Sequence, residues 1–89
     1  MRLGPNPFFT AYQRMQLRFT LKAPGDLRVK VYDVRGQLVL TLFDGPVDAT
    51  MFVRWAGADE NGVDLASGVY FVEAQMGPDL LVRKFALVR

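Results

Sequence analysis

Apolar and polar side chains alternate with a period of two along most of this chain, the pattern of half-buried β-strands. The apolar face of the first such stretch, residues 14–22, carries Met15, Leu17, Phe19 and Leu21. The alternation returns repeatedly between turn-forming residues, and no segment shows the 3.6-residue period of a helix. The sequence therefore predicts an all-β fold.

Turn-forming residues divide this pattern into six long strands and one short strand. The long strands are predicted at residues 14–22, 27–31, 38–43, 50–55, 69–76 and 80–88, and the short one at residues 63–65. The first two are expected to form a hairpin, and Asp44-Gly45-Pro46 is expected to end the third because proline cannot donate to a ladder. Asn61-Gly62 is a strong signal for a two-residue hairpin turn. Seven short strands in a chain of this length predict a seven-stranded antiparallel β-sandwich, immunoglobulin-like or fibronectin-III-like.

Composition limits the chain to one domain and removes most enzyme classes. The chain has 89 residues with no histidine, no cysteine and one serine, Ser67. These absences exclude Cys–His and Ser–His nucleophilic pairs, disulfides and His/Cys metal sites, so we predict a non-enzyme without cofactor or metal. No apolar run approaches the roughly 18 residues of a membrane helix. A net charge of +2 argues against a nucleic-acid binder.

The first seven residues differ in character from the rest of the chain. They contain two prolines and one glycine before the first aromatic residue, a composition typical of a linker. We therefore predict a linker over residues 1–7 and a β-sandwich domain over residues 8–89.

Several short motifs, in order along the chain, resemble those of one family. They are Asn6-Pro7-Phe8, Val31-Tyr32-Asp33-Val34-Arg35-Gly36, Trp55-Ala56-Gly57-Ala58-Asp59, Asn61-Gly62, Ala66-Ser67-Gly68-Val69-Tyr70-Phe71, and Arg83-Lys84 before Val88-Arg89. Together they resemble the immunoglobulin-like domain named after the flagellar hook-capping protein, and the C-terminal sorting domains of type IX secretion cargo. Where the family usually follows Asn-Pro-Phe with Asn-Pro and a Ser/Thr pair, this chain has Phe9-Thr10-Ala11.

The resemblance implies a non-catalytic immunoglobulin-like module at the C-terminus of a larger secreted or surface-located bacterial protein. Such a module acts in sorting, surface attachment or protein–protein assembly, and its partners are the secretion or anchoring machinery or neighbouring domains of the parent chain. The cations Arg83, Lys84 and Arg89 resemble the family's closing basic motif and are the sorting candidates. A carbohydrate-binding accessory domain and a hook-capping-type assembly domain are the alternatives.

Each family motif also has a structural explanation that needs no ligand. Gly36, Gly62 and Gly68 are expected to supply turn conformations, and Asp33 to accept hydrogen bonds within its own turn. Two large aromatic residues, Trp55 and Tyr70, are expected in the core.

Basic residues are concentrated in the first part of the chain. By strand parity they are predicted on the outward face of the first hairpin: Arg14, Arg18, Lys22, Arg28 and Lys30. One interpretation is contact with an anionic partner, such as a surface polysaccharide or an acidic protein patch. The other is protection of a sheet edge and solubility.

Three aromatic residues, Tyr32, Phe52 and Phe71, are also predicted on outward faces. Exposed aromatic rings can stack on sugars or anchor a protein contact. They are equally compatible with cover by a loop or by the parent protein.

The segment 59–64 combines three acids and one amide, oxygen ligands of the kind that Ca²⁺ accepts. It lacks the later bidentate glutamate of a complete calcium loop, and Asn61-Gly62 accounts for it as a turn. The sequence leaves calcium binding there as an open alternative.

Overall fold

The computed structural model describes residues 2–3, 8–10, 15–21 and 23–88. Its strands are β1 (Arg2–Leu3), β2 (Phe8–Thr10), β3 (Met15–Thr20), β4 (Gly25–Asp33), β5 (Leu38–Val47), β6 (Thr50–Trp55), β7 (Gly68–Met76) and β8 (Asp79–Val88). Nowhere in these residues is there a helix long and apolar enough to cross a membrane.

The strands form two sheets, one with the order β1-β3-β6 and one with the order β2-β8-β7-β4-β5. Their apolar faces meet in one core, and the chain passes between the sheets several times, as in immunoglobulin-like sandwiches. The predicted all-β sandwich is confirmed. One pair departs from the antiparallel expectation: β2 runs parallel to β8, with Phe8 opposite Ala86.

All six predicted long strands are present, but several of their boundaries differ. The described residues form eight strands, whereas seven were predicted. The prediction that Asp44-Gly45-Pro46 ends the third strand was wrong, because β5 continues to Val47. β5 is the outermost strand of its sheet and tolerates proline, because no further strand needs a hydrogen bond from the N–H that proline lacks. The predicted strand at 63–65 is reduced to one isolated bridge between Ala58 and Asp64.

The two short strands β1 and β2 were not predicted. β1 lies within the segment expected to be a linker, yet it pairs antiparallel with β3. The three-stranded sheet therefore includes part of that segment.

The predicted hairpin between the first two long strands was also wrong, because β3 and β4 belong to different sheets. Leu17 and Phe19 of β3 are buried in the same core cluster as Leu27 and Val29 of β4. Alternation correctly indicated which face of each strand is buried. It carried no information on whether two apolar faces lie side by side in one sheet or opposite each other across the core.

An aromatic cluster fills one part of this core. Trp55 and Tyr70 are 4% and 8% exposed, which confirms their predicted core positions. The Trp55 ring lies edge-on to Tyr70 and to Phe85, with centroid distances of 6.0 Å and 5.3 Å. Tyr70 and Phe85 stack with their centroids 6.0 Å apart. Rings from both sheets thus contact one another directly.

Candidate functional site

The Asp33 motif forms a turn that is closed by its own side chain. Asp33 Oδ1 accepts hydrogen bonds from the N–H groups of Arg35 (2.9 Å) and Gln37 (3.0 Å). Gly36 has a φ of 82°, a left-handed conformation that a side chain would strain. The predicted roles of Asp33 and Gly36 are therefore confirmed.

The Asp59 motif repeats this design. Asp59 Oδ1 accepts hydrogen bonds from the N–H groups of Asn61 (2.9 Å) and Val63 (3.0 Å), and Gly62 has a φ of 79°. Because the Asp59 N–H also donates to the Val63 carbonyl at 2.9 Å, the loop holds three residues rather than the predicted two. Within the described ranges, no group of three acidic residues is arranged to hold a metal ion.

The remaining family motifs attach the loop before β7 to the core. Trp55 Nε1 donates to the Ala58 carbonyl at 2.8 Å, and the Tyr70 hydroxyl donates to the Ala66 carbonyl at 2.7 Å. Gly57 has a φ of 83°, whereas Gly68 has no positive φ and begins β7, so the turn role predicted for Gly68 was wrong. These contacts are structural.

Five of the predicted residues lie outside the described residues: Asn6, Pro7, Arg14, Lys22 and Arg89. Phe8 belongs to β2, and Ser67 lies exposed just before β7.

The predicted single cationic face does not form. Arg18 is on β3 in one sheet, and Arg28 and Lys30 are on β4 in the other, so their outward faces point to opposite sides of the sandwich. The Arg28 Nε lies 3.6 Å from Asp44 Oδ2, and Lys30 is opposite Glu73 on β7. On that face, each of these two cations therefore has an acid beside or opposite it.

Two of the three outward aromatic residues come together. Tyr32 on β4 and Phe71 on β7 are cross-strand partners on the outer face of the five-stranded sheet. With Glu73, Val82 and the Asp33 turn they line an open depression of about 360 Å³. Phe52, 56% exposed, lies on β6 in the other sheet. The sequence analysis did not single out Glu73, although it lies two residues after Phe71 on the same face of β7. It missed Val82 because only the pairing of β8 with β7 brings that residue opposite Glu73.

The sorting candidates Arg83 and Lys84 are exposed neighbours on β8. Because successive strand residues point to opposite faces of a sheet, their side chains leave in opposite directions. Arg83 Nη1 donates a 3.0 Å hydrogen bond to the Val82 carbonyl. Lys84 is the cross-strand partner of Phe71 and therefore borders the aromatic depression.

Sheet order, buried core and aspartate turns define an immunoglobulin-like β-sandwich. The family model for the FlgD Ig-like domain matches residues 6–77. The chain belongs to this family. No match was found among curated protein sequences.

Two solved structures have the same fold. FlgD from P. aeruginosa matches with a TM-score of 0.66 and 22% identity, over 85% of this chain and 63% of that chain. PorZ, an essential surface component of the type IX secretion system of Porphyromonas gingivalis, matches with a TM-score of 0.65 and 25% identity. That match covers 99% of this chain but 11% of PorZ, so the domain corresponds to a small part of the larger protein.

Proposed function

We propose that this domain is a non-catalytic module of a larger secreted bacterial protein, acting at the cell surface in sorting, attachment or protein–protein assembly. The observation that carries the proposal is the similarity to PorZ along 99% of this chain. Membership of the FlgD Ig-like family is in keeping with an assembly role, and hook-capping-type assembly is one form that this role can take. Its direct partner is then a protein, either export or anchoring machinery or a neighbouring domain.

For the sorting form of this function, we assign the signal to Arg83, Lys84 and Arg89 at the end of the chain. Arg83 and Lys84 are exposed, so a receptor can contact them without unfolding the sandwich. Reversing all three charges, with each residue changed to Glu, should leave the free energy of unfolding within about 1 kcal/mol, as surface changes usually do. Export of a fused reporter in a host with the type IX machinery should be lost.

The matched control carries the same change in net charge elsewhere on the surface, at the exposed residues Arg18, Arg35 and Arg54. This control should be exported like the parent fusion. Normal export and anchoring of the folded Arg83, Lys84 and Arg89 variant would overturn the assignment of the signal. A parent fusion that is never exported would overturn the sorting role and leave assembly as the function.

The Tyr32–Phe71 depression favours a second candidate function, carbohydrate binding. Paired rings next to the Glu73 carboxylate can provide both stacking and a hydrogen-bond acceptor for a sugar. Lys84 beside Phe71 adds a cation that an anionic polysaccharide would contact. Binding to neutral and anionic polysaccharides should be lost in Phe71→Ala and retained in Phe52→Ala, which removes an exposed ring from the other sheet. Equal binding by both variants would exclude the depression as the site.

A further inference from the structure

Strand β8 has an edge that is only partly paired within the described residues. On one side, β7 pairs with β8 along residues 79–87. On the other side, β2 reaches only residues 86–88, and β1 pairs with β3 in the other sheet. The segment 79–85 therefore has no described strand along its outer side.

The turn before β8 fixes which backbone groups face this edge. Asp79 pairs with Met76 across the two-residue turn Gly77-Pro78, in which Gly77 has a φ of 56°. Glycine at the first central position is typical of a type II′ turn, which directs the Asp79 N–H to the Met76 carbonyl. Because hydrogen bonding alternates along an antiparallel pair, Leu80 and Val82 direct their N–H and C=O groups away from β7.

The hydrogen bond from Arg83 supports this orientation independently. Its guanidinium reaches the Val82 carbonyl at 3.0 Å, which shows that this oxygen is accessible from the outer side. The side chains of Leu80 and Val82 are 58% and 45% exposed. Hydrophobic side chains and accessible backbone groups therefore occur on the same short segment.

The opposite edge of the same sheet is built differently. β5 carries Gly45 and Pro46, and its pairing with β4 has two register shifts. Proline and bulges are the devices that discourage a sheet edge from adding another strand. The β7–β8 pairing has no register shift, and residues 79–85 contain no proline. Of the two outer edges, β8 is thus the one suited to strand addition.

We propose that this edge of β8 pairs antiparallel with the same edge of a second copy of the chain. With a two-fold axis at Leu81 and normal to the sheet, Leu80 lies opposite Val82 of the second copy. Asp79 then lies opposite Arg83 of the second copy. Each Leu80–Val82 pair exchanges two backbone hydrogen bonds and covers two exposed apolar side chains.

The pairing of opposite charges favours this register over the register with the axis at Val82. Each of the two symmetry-related Asp79–Arg83 pairs places opposite charges across the new strand pair. Moving the axis to Val82 would instead place Arg83 opposite Leu81 and Asp79 opposite Phe85, which pairs no charges. In the proposed register, the Arg83 guanidinium leaves the Val82 carbonyl and pairs with the Asp79 carboxylate of the second copy. The Val82 carbonyl then accepts a hydrogen bond from the Leu80 N–H of the second copy. Each of these groups therefore keeps a partner.

Sedimentation equilibrium of the 89-residue chain over a range of concentrations tests the proposal. The parent chain should self-associate reversibly to a dimer. Asp79→Arg and Arg83→Asp should each weaken dimerisation about tenfold, because the two-fold axis makes every substitution affect two pairs. The double variant, with the charges exchanged, should dimerise like the parent. Asp48→Arg and Arg35→Asp are the controls, since each makes the same charge change at an exposed site away from β8.

Hydrogen exchange of the parent chain provides a second measurement that needs no variant. The amides of Leu80 and Val82 should be slower at high concentration than at low concentration, while Leu81, already bonded to β7, should not change. A chain that is monomeric at every concentration would overturn the proposal. So would a dimer that is insensitive to the charge changes or that protects other amides. These measurements involve no export machinery, so their failure is separate from failure of the proposed function.

Discussion

The indole ring of Trp55 meets the ring of Phe85 edge-on, with 5.3 Å between centroids and 84° between ring planes. Trp55 ends β6 in the three-stranded sheet, and Phe85 lies on β8 in the five-stranded sheet. The pair therefore joins the two layers of the sandwich. Aromatic pairs of this geometry contribute about 0.5–1.5 kcal/mol beyond the burial of their surface.

Removing the indole should therefore destabilise the fold severely. We expect Trp55→Ala to lower the free energy of unfolding by about 3–5 kcal/mol through lost burial and the cavity that remains. Chemical denaturation measures this directly. The control is Phe52→Ala on the same strand, where an exposed ring is removed. Equal midpoint shifts in the two variants would contradict the core role of Trp55.

The Tyr70 hydroxyl should contribute independently of its ring. Tyr70→Phe keeps the stacking with Phe85 but loses the hydrogen bond to the Ala66 carbonyl. The expected loss is about 1 kcal/mol, the usual net contribution of one hydrogen bond between protein groups. Tyr32→Phe, which removes a hydroxyl from the outer face of the five-stranded sheet, should unfold at the parent midpoint. A Tyr70→Phe variant as stable as the parent would mean that the bond does not hold the loop.

The positions of the six long strands could be predicted because alternation reports burial one residue at a time. The Asp33 turn could be predicted because aspartate and glycine act there within five consecutive residues. Strand partners could not be predicted, because pairing depends on which apolar faces meet after the chain has turned. The assignment of β3 and β4 to one hairpin failed for this reason.

The candidate surfaces show the same limit. Strand parity correctly placed Tyr32 and Phe71 outward. The pairing of these two rings depends on the register of β4 against β7, and the position of Val82 opposite Glu73 depends on the register of β7 against β8. The cations of β3 and β4 were predicted on one face because the hairpin was assumed. Their separation onto opposite sides of the sandwich removed that surface.

A comparison of Gly62 and Gly68 distinguishes the effect of backbone strain from that of steric contact. A Cβ added at Gly62 or at Gly68 would meet nothing within 4 Å, but only Gly62 has a positive φ, of 79°. Gly62→Ala should therefore cost about 1–2 kcal/mol, whereas Gly68→Ala should be neutral or slightly stabilising. Thermal denaturation of both variants checks this. A similar loss in both would show that conformation at Gly62 is not the cause.

Calcium should not stabilise the domain, because the Asp59 carboxylate is already engaged by its own turn. Its Oδ1 accepts hydrogen bonds from the Asn61 and Val63 amides, so the turn is closed without an ion. A site saturated at 100 times its dissociation constant would add about 2.7 kcal/mol, a shift of several degrees in Tm for a domain of this size. We expect EDTA and millimolar Ca²⁺ to leave Tm unchanged, with Mg²⁺ as the control for ionic strength. A rise in Tm that requires Ca²⁺, is absent with Mg²⁺ and disappears in Asp59→Asn would establish a calcium site in this turn.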